Sequence, residues 1–188
     1  HSDGLHLIKV SEAFASKFAE PTYPEVMKLF IREENFHSSY LGEFMRYHGL
    51  PLRKSNFLDR TFRRLRRRGN ILSEVVTLIT AEIIALSYYS ALSDATESPA
   101  LKRICAQMLH DELPHVIFQS YTIGHFKQNR WLKFKRHFLM RATTRAVWTA
   151  YGNVFRAAGW TYDRFRQENI GYIKQSEDIA RYTSRSST

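Results

Sequence analysis

At 188 residues the chain is long enough for one domain with a sizeable core, and 14% aromatics with only eight glycines and five prolines fit neither a disordered chain nor a disulfide scaffold. Its single cysteine, Cys105, excludes a disulfide framework and a cysteine-ligated zinc site. A formal net charge of +10, from 28 Lys and Arg against 18 Asp and Glu, points to anionic partners.

No apolar run approaches the ~18 residues of a transmembrane helix and no signal-peptide pattern is present, so a cytoplasmic location is expected. The chain begins at His1 rather than methionine, and further residues upstream are expected. Apolar spacing predicts a first helix over residues 2 to 18, in which Leu7, Val10, Phe14 and Phe18 fall within about 60° of Asp3 on a helical wheel. Asp3 is therefore central to the apolar stripe, and Glu12 faces solvent. A turn bracketed by Pro21 and Pro24 leads to a second helix over 24 to 48. Around Glu34, the residues Met27, Phe30, Ile31, His37, Leu41 and Met45 again fall within about 60°. Gly49 supplies the stop and Pro51 prevents continuation.

A connection over residues 50 to 69 is long for a compact bundle and carries Arg60, Arg63, Arg64, Arg66, Arg67 and Arg68. This run reads either as a solvated connector or as a docking patch for an anion. A third helix over about 70 to 93 places Glu82 alone among Val75, Leu78, Leu86 and Tyr89. Ser98 and Pro99 form an N-cap followed by proline at the first helical position. The fourth helix aligns Leu101, Cys105, Met108, Glu112, His115 and Gln119, with Cys105 as a small core side chain and Pro114 expected to kink the axis. The basic-aromatic stretch Trp131 to Phe138 opens a fifth helix, read as packing on the bundle with its cationic tips reaching water; a membrane surface or a dimer contact is the other reading. A last helix is expected over about 161 to 180, followed by a frayed tail over 181 to 188.

Two pentapeptides organise the whole: Glu33-Glu34-Asn35-Phe36-His37 and Asp111-Glu112-Leu113-Pro114-His115. In each, a glutamate and a histidine three residues later project from one helical face, so a carboxylate and an imidazole aim at the same point. One such pair is common by chance, whereas two on apolar faces supply most of a dinuclear transition-metal site. In antiparallel hairpins, partners at one level are equidistant from the turn. Glu82 with Glu112 and His115 centres near residue 98, and Asp3 with Glu34 and His37 near residue 19, both at predicted turns. The candidate metal ligands are therefore Asp3, Glu34, His37, Glu82, Glu112 and His115. His6, one turn after Asp3, is a further candidate. The competing reading makes these acids and histidines hydrogen-bonded or ion-paired core residues. No Lys or Arg lies on the four stripes to pair them.

Over residues 1 to 125 the chain resembles the ferritin-like di-iron carboxylate superfamily; its two acid-Glu-x-x-His motifs are similar to those of soluble acyl-carrier-protein desaturases, and in general character it resembles bacterial ferritin-like proteins. The resemblance implies an all-α fold: a ferritin-like four-helix bundle over 1 to 125, with a long crossover between helices 2 and 3 and additional helices over 126 to 180. It implies two iron ions, with manganese as the alternative. Glu34 and Glu112 would bridge, Asp3 and Glu82 would be terminal, His37 and His115 would each bind one metal, and Asp111 would orient an imidazole. It further implies O₂ as co-substrate, an electron donor, and oxidase or oxygenase chemistry on an organic substrate. An acyl carrier protein, a tRNA or acidic lipid would suit the basic surface, and a homodimer is a further expectation. A radical-bearing reductase subunit fits poorly, since Leu41 stands where its tyrosine is expected and Tyr40 is one residue off. A rubrerythrin would carry Cys-x-x-Cys, which is absent. The alternatives are a non-enzymatic metal-binding or interaction bundle and a tRNA-modifying hydroxylase.

Overall fold

The computed structural model describes residues 2–51 and 70–186, and the side chains of residues 2 and 3 fall outside that description. The candidates Arg60, Arg63, Arg64, Arg66, Arg67 and Arg68 lie outside the described residues. Among the described residues the fold is all-α, with six helices: α1 (Ser2–Phe18), α2 (Tyr23–Tyr47), α3 (Ile71–Ala95), α4 (Pro99–Gly124), α5 (Arg130–Ala157) and α6 (Tyr162–Ser186). They divide into two compact units, the first carrying α1 and α2 and the second carrying α3 from Leu72 through α6.

Local chemistry sets the helix ends. Gly49 sits at φ +64°, with Gly49 N donating to Arg46 O at 3.1 Å and Leu50 N to Met45 O at 2.8 Å, which satisfies the last carbonyls of α2. Gly159, at φ +72°, closes α5 in the same way. Ala19 does so at the end of α1 with φ +56°, a conformation disfavoured for a side chain. Ser98 Oγ accepts from Leu101 N at the start of α4, and Asn129 Oδ1 accepts from Leu132 N at the start of α5.

In the first unit α1 packs along α2 through Phe14 against Tyr23, with ring centroids 4.1 Å apart. A Cβ built on Gly4 would lie 3.4 Å from Ile31 Cγ2, so the first turn of α1 runs beside α2 one turn before Glu34. Glu12 is exposed, as the wheel predicts.

The second unit is built around α3, apolar on every side and buried over most of its length. Contrary to the expectation from sequence, α3 does reach the length and composition of a membrane span, with a window of mean hydropathy 1.7. That window is 67% buried against the protein's own side chains. Its polar groups are also tied to neighbouring helices: Ser87 donates to Asn169 of α6 at 2.7 Å, and Asn169 donates to Thr144 of α5 at 3.2 Å. At one end of the unit Phe155 meets Phe165 at 4.2 Å and Tyr88 at 5.9 Å, and Trp160 Nε1 donates to Asp94 at 3.1 Å.

Two expectations are corrected here. Residues 181–186, read as a frayed tail, continue α6, because Ala180 and Thr183 are buried where this helix meets Gly124 of α4. The fifth helix also presents the opposite face from the one expected. Trp131, Phe134 and Phe138 are 63%, 57% and 64% exposed and stack in sequence at 5.5 and 6.2 Å, while Arg136 is buried.

Candidate metal centre

Three of the predicted ligands converge within the second unit. Glu82 of α3 and Glu112 and His115 of α4 are all buried, and each offers one donor atom within 4.8 Å of the others. His115 Nδ1 lies 3.5 Å from Glu112 Oε2 and 3.9 Å from Glu82 Oε2. Gln119, one turn after His115, donates its Nε2 to Glu82 Oε1 at 3.3 Å. The spacing produces this arrangement directly: Glu112, His115 and Gln119 recur at helical intervals on one face of α4. Apolar side chains line the same faces. Ile79 and Leu86 flank Glu82 by one turn on either side, and Met108 and Val116 flank Glu112; all four are buried.

Within the first unit the other motif holds its own pair together. His37 is buried and its Nδ1 lies 3.4 Å from Glu34 Oε1, whereas the Glu34 side chain is 40% exposed, not central to a buried face as the wheel suggested. Asp3 occupies the first turn of α1, and its side chain lies outside the described residues. Asp111 accepts from Gln107 Nε2 at 2.8 Å and lies 3.2 Å from the exposed His110 ring, so its visible contacts run along the surface of α4. Pro114 is exposed and α4 continues through it from Pro99 to Gly124.

Sequence reasoning passed over several buried polar groups. Glu74, two turns before Glu82 on α3, is fully buried. Arg136 of α5 donates to Ser176 of α6, and Ser120 of α4 donates to the same Ser176. Glu177 gathers His137 at 2.8 Å and Lys133 at 3.3 Å. Arg136 had a signal, since it sits four residues from both Leu132 and Met140 on one stripe, but the surrounding Lys and aromatic residues concealed it.

No protein-family model, curated protein or solved structure matches the chain.

A buried site with two carboxylates and an imidazole fits a divalent first-row metal. Oxygen and nitrogen donors suit iron or manganese. A divalent cation also removes the electrostatic cost of desolvating two acids in one place.

Proposed function

We propose that this chain is a ferritin-like dinuclear metalloprotein, with iron as its metal, that uses O₂ to oxidise an organic substrate. The observation that carries this reading is the convergence of Glu82, Glu112 and His115 in an apolar interior. Its complement is the second Glu-x-x-His motif on α2, where Glu34 and His37 already lie side by side. In this reading Glu34, His37, Glu82, Glu112 and His115 hold the two ions, and Asp3 supplies the sixth protein ligand. A bound iron pair would supply the two electrons with which O₂ is activated.

The chain's own residues have separate tasks. Four glutamate and aspartate carboxylates offset the charge of two divalent ions, and the two imidazoles complete a mixed nitrogen and oxygen set. Gln119 fixes the orientation of Glu82 through its amide. Ile79, Leu86, Met108 and Val116 keep water from the carboxylates and so strengthen their attraction for cations.

Protein purified without added metal should carry about two iron or manganese ions per chain. Anaerobic loading with Fe(II) followed by air should consume O₂ and produce a new visible or near-ultraviolet absorption. His115→Ala should lose both metal and O₂ uptake. Protein that binds no metal overturns the proposal. Tight metal binding without O₂ uptake replaces it with a non-enzymatic metal-binding bundle.

A further inference from the structure

The start of α5 and the end of α6 enclose a cleft of about 230 Å³ whose charged and capping residues are Asn129, Arg130, Lys133, Arg136, Glu177 and Arg181. At its base Arg136 is only 2% exposed. One arm of its guanidinium donates to Ser176 Oγ at 2.5 Å, and its buried Nε has no hydrogen-bond partner among the described residues. The acid that lines the cleft, Glu177, is already engaged by His137 at 2.8 Å and by Lys133 at 3.3 Å. Arg181 is held at the rim, donating to Glu177 O at 3.4 Å and to the Asp178 carboxylate. Desolvation pulls Arg136 down to about 10, only partly offset by the field of Glu177. A buried guanidinium lining a solvent-open cleft, with its own acid already shared by two other cations, is arranged for an anion brought from outside.

We infer that this cleft binds a phosphoryl group, drawn by the buried charge of Arg136 and flanked by Lys133, Arg130 and the first turn of α5. Four cationic side chains face one carboxylate in the cleft, so a dianion is balanced better than a monocarboxylate. A phosphoryl group also has enough acceptor oxygens to engage the guanidinium and the lysine together. Asn129 caps α5 at this edge, which puts the positive end of the helix dipole beside the same space. None of Glu82, Glu112 or His115 takes part, so the inference does not depend on the metal centre.

The same phosphoryl chemistry belongs to free phosphate, to a phosphorylated small molecule and to a lipid headgroup. The test measures the unfolding midpoint of the full chain against inorganic phosphate, with sodium chloride at equal ionic strength as the reference. A saturable rise above the chloride reference is expected in the wild type and absent in Arg136→Met. Without phosphate, Arg136→Met should be at least as stable as the wild type, because it removes a buried charge. Adenosine monophosphate and phosphatidate vesicles, compared with phosphatidylcholine vesicles, then identify the carrier by which of them displaces phosphate. Should Arg136→Met not fold, the exposed Lys133→Gln should weaken phosphate binding by about threefold. No saturable rise, an equal rise in Arg136→Met, or unchanged affinity in Lys133→Gln overturns the proposal.

Discussion

Gln119 Nε2 donates to Glu82 Oε1 across 3.3 Å, linking α4 to the acid that α3 contributes to the candidate centre. The other end of the same amide, Oε1, is buried without a hydrogen-bond partner among the described residues. Gln119→Leu therefore has two opposed effects on the metal-free protein. It removes a donor from a charged acceptor, at a cost of about 1.5–3 kcal/mol, and it relieves an unsatisfied carbonyl worth about 1–3 kcal/mol. Metal-free stability should change by less than ~1 kcal/mol, while metal affinity falls about 10–100-fold because Glu82 loses the amide that helps to orient it. Denaturant titration beside Fe(II) titration separates the two. Unchanged metal affinity would remove Gln119 from any positioning role.

Pro114 lies between Glu112 and His115 and denies His110 O its helical donor, yet α4 runs through it. Pro114→Ala restores that hydrogen bond and should raise stability by up to about 3 kcal/mol, seen as a higher denaturant midpoint. If the proline also shapes access to the centre, the variant keeps its metals and loses O₂ uptake. Full metal content with full O₂ uptake would mean that it has no part in the mechanism.

Gly124 marks where α4 and α6 approach each other closely. A Cβ there would stand 2.5 Å from Thr183 Cβ and 2.8 Å from Ala180 O. Gly124→Ala gains up to about 1 kcal/mol of helix propensity, but overpacking against backbone costs about 1–3 kcal/mol, so destabilisation is expected. Adding Thr183→Ala should recover little, because both the Cβ and the carbonyl stay in place. Thermal unfolding of the single and double variants reads this out.

Burial pushes the Cys105 thiol up to about 11, from an ordinary value of 9.0. The folded chain then holds this proton more tightly than the unfolded chain does. That contribution to stability is complete below pH 9 and is lost as the pH rises towards 11. The urea midpoint of the wild type should fall over this window with an extra slope that Cys105→Ala lacks. The native thiol should also resist chromogenic disulfide reagents at neutral pH and react once urea is added.

Much of this architecture is legible in the sequence because it depends on short-range chemistry. Ser98 with Pro99, Gly49 and the two Glu-x-x-His spacings act within one or two turns, and the helix ends that those signals mark fall at or within a few residues of where they place them. Contacts with the last two helices were less legible than the level of Glu82 with Glu112 and His115, which hairpin symmetry gives. The spacing of Arg136 from Leu132 and Met140 sets it apart from its exposed neighbours Lys133 and Lys135, but the partner that receives its guanidinium, Ser176, lies forty residues later. Residues 181–186 read as polar because their anchor, the bare backbone of Gly124, lies far away in sequence. The apolar breadth of α3 was underestimated because Glu74 and Glu82 interrupt it, although both are buried.

The outward-facing Trp131 divides the chain's three tryptophans, since Trp160 is buried and Trp148 lies against Phe155 and Phe165. Trp131 should emit to the red and be readily quenched by acrylamide or iodide, while Trp160 stays blue-shifted and protected. Trp131 also sits one residue from Arg130 at the mouth of the α5 cleft. The protein thus carries an intrinsic fluorophore placed to report, without any label, when that mouth is occupied.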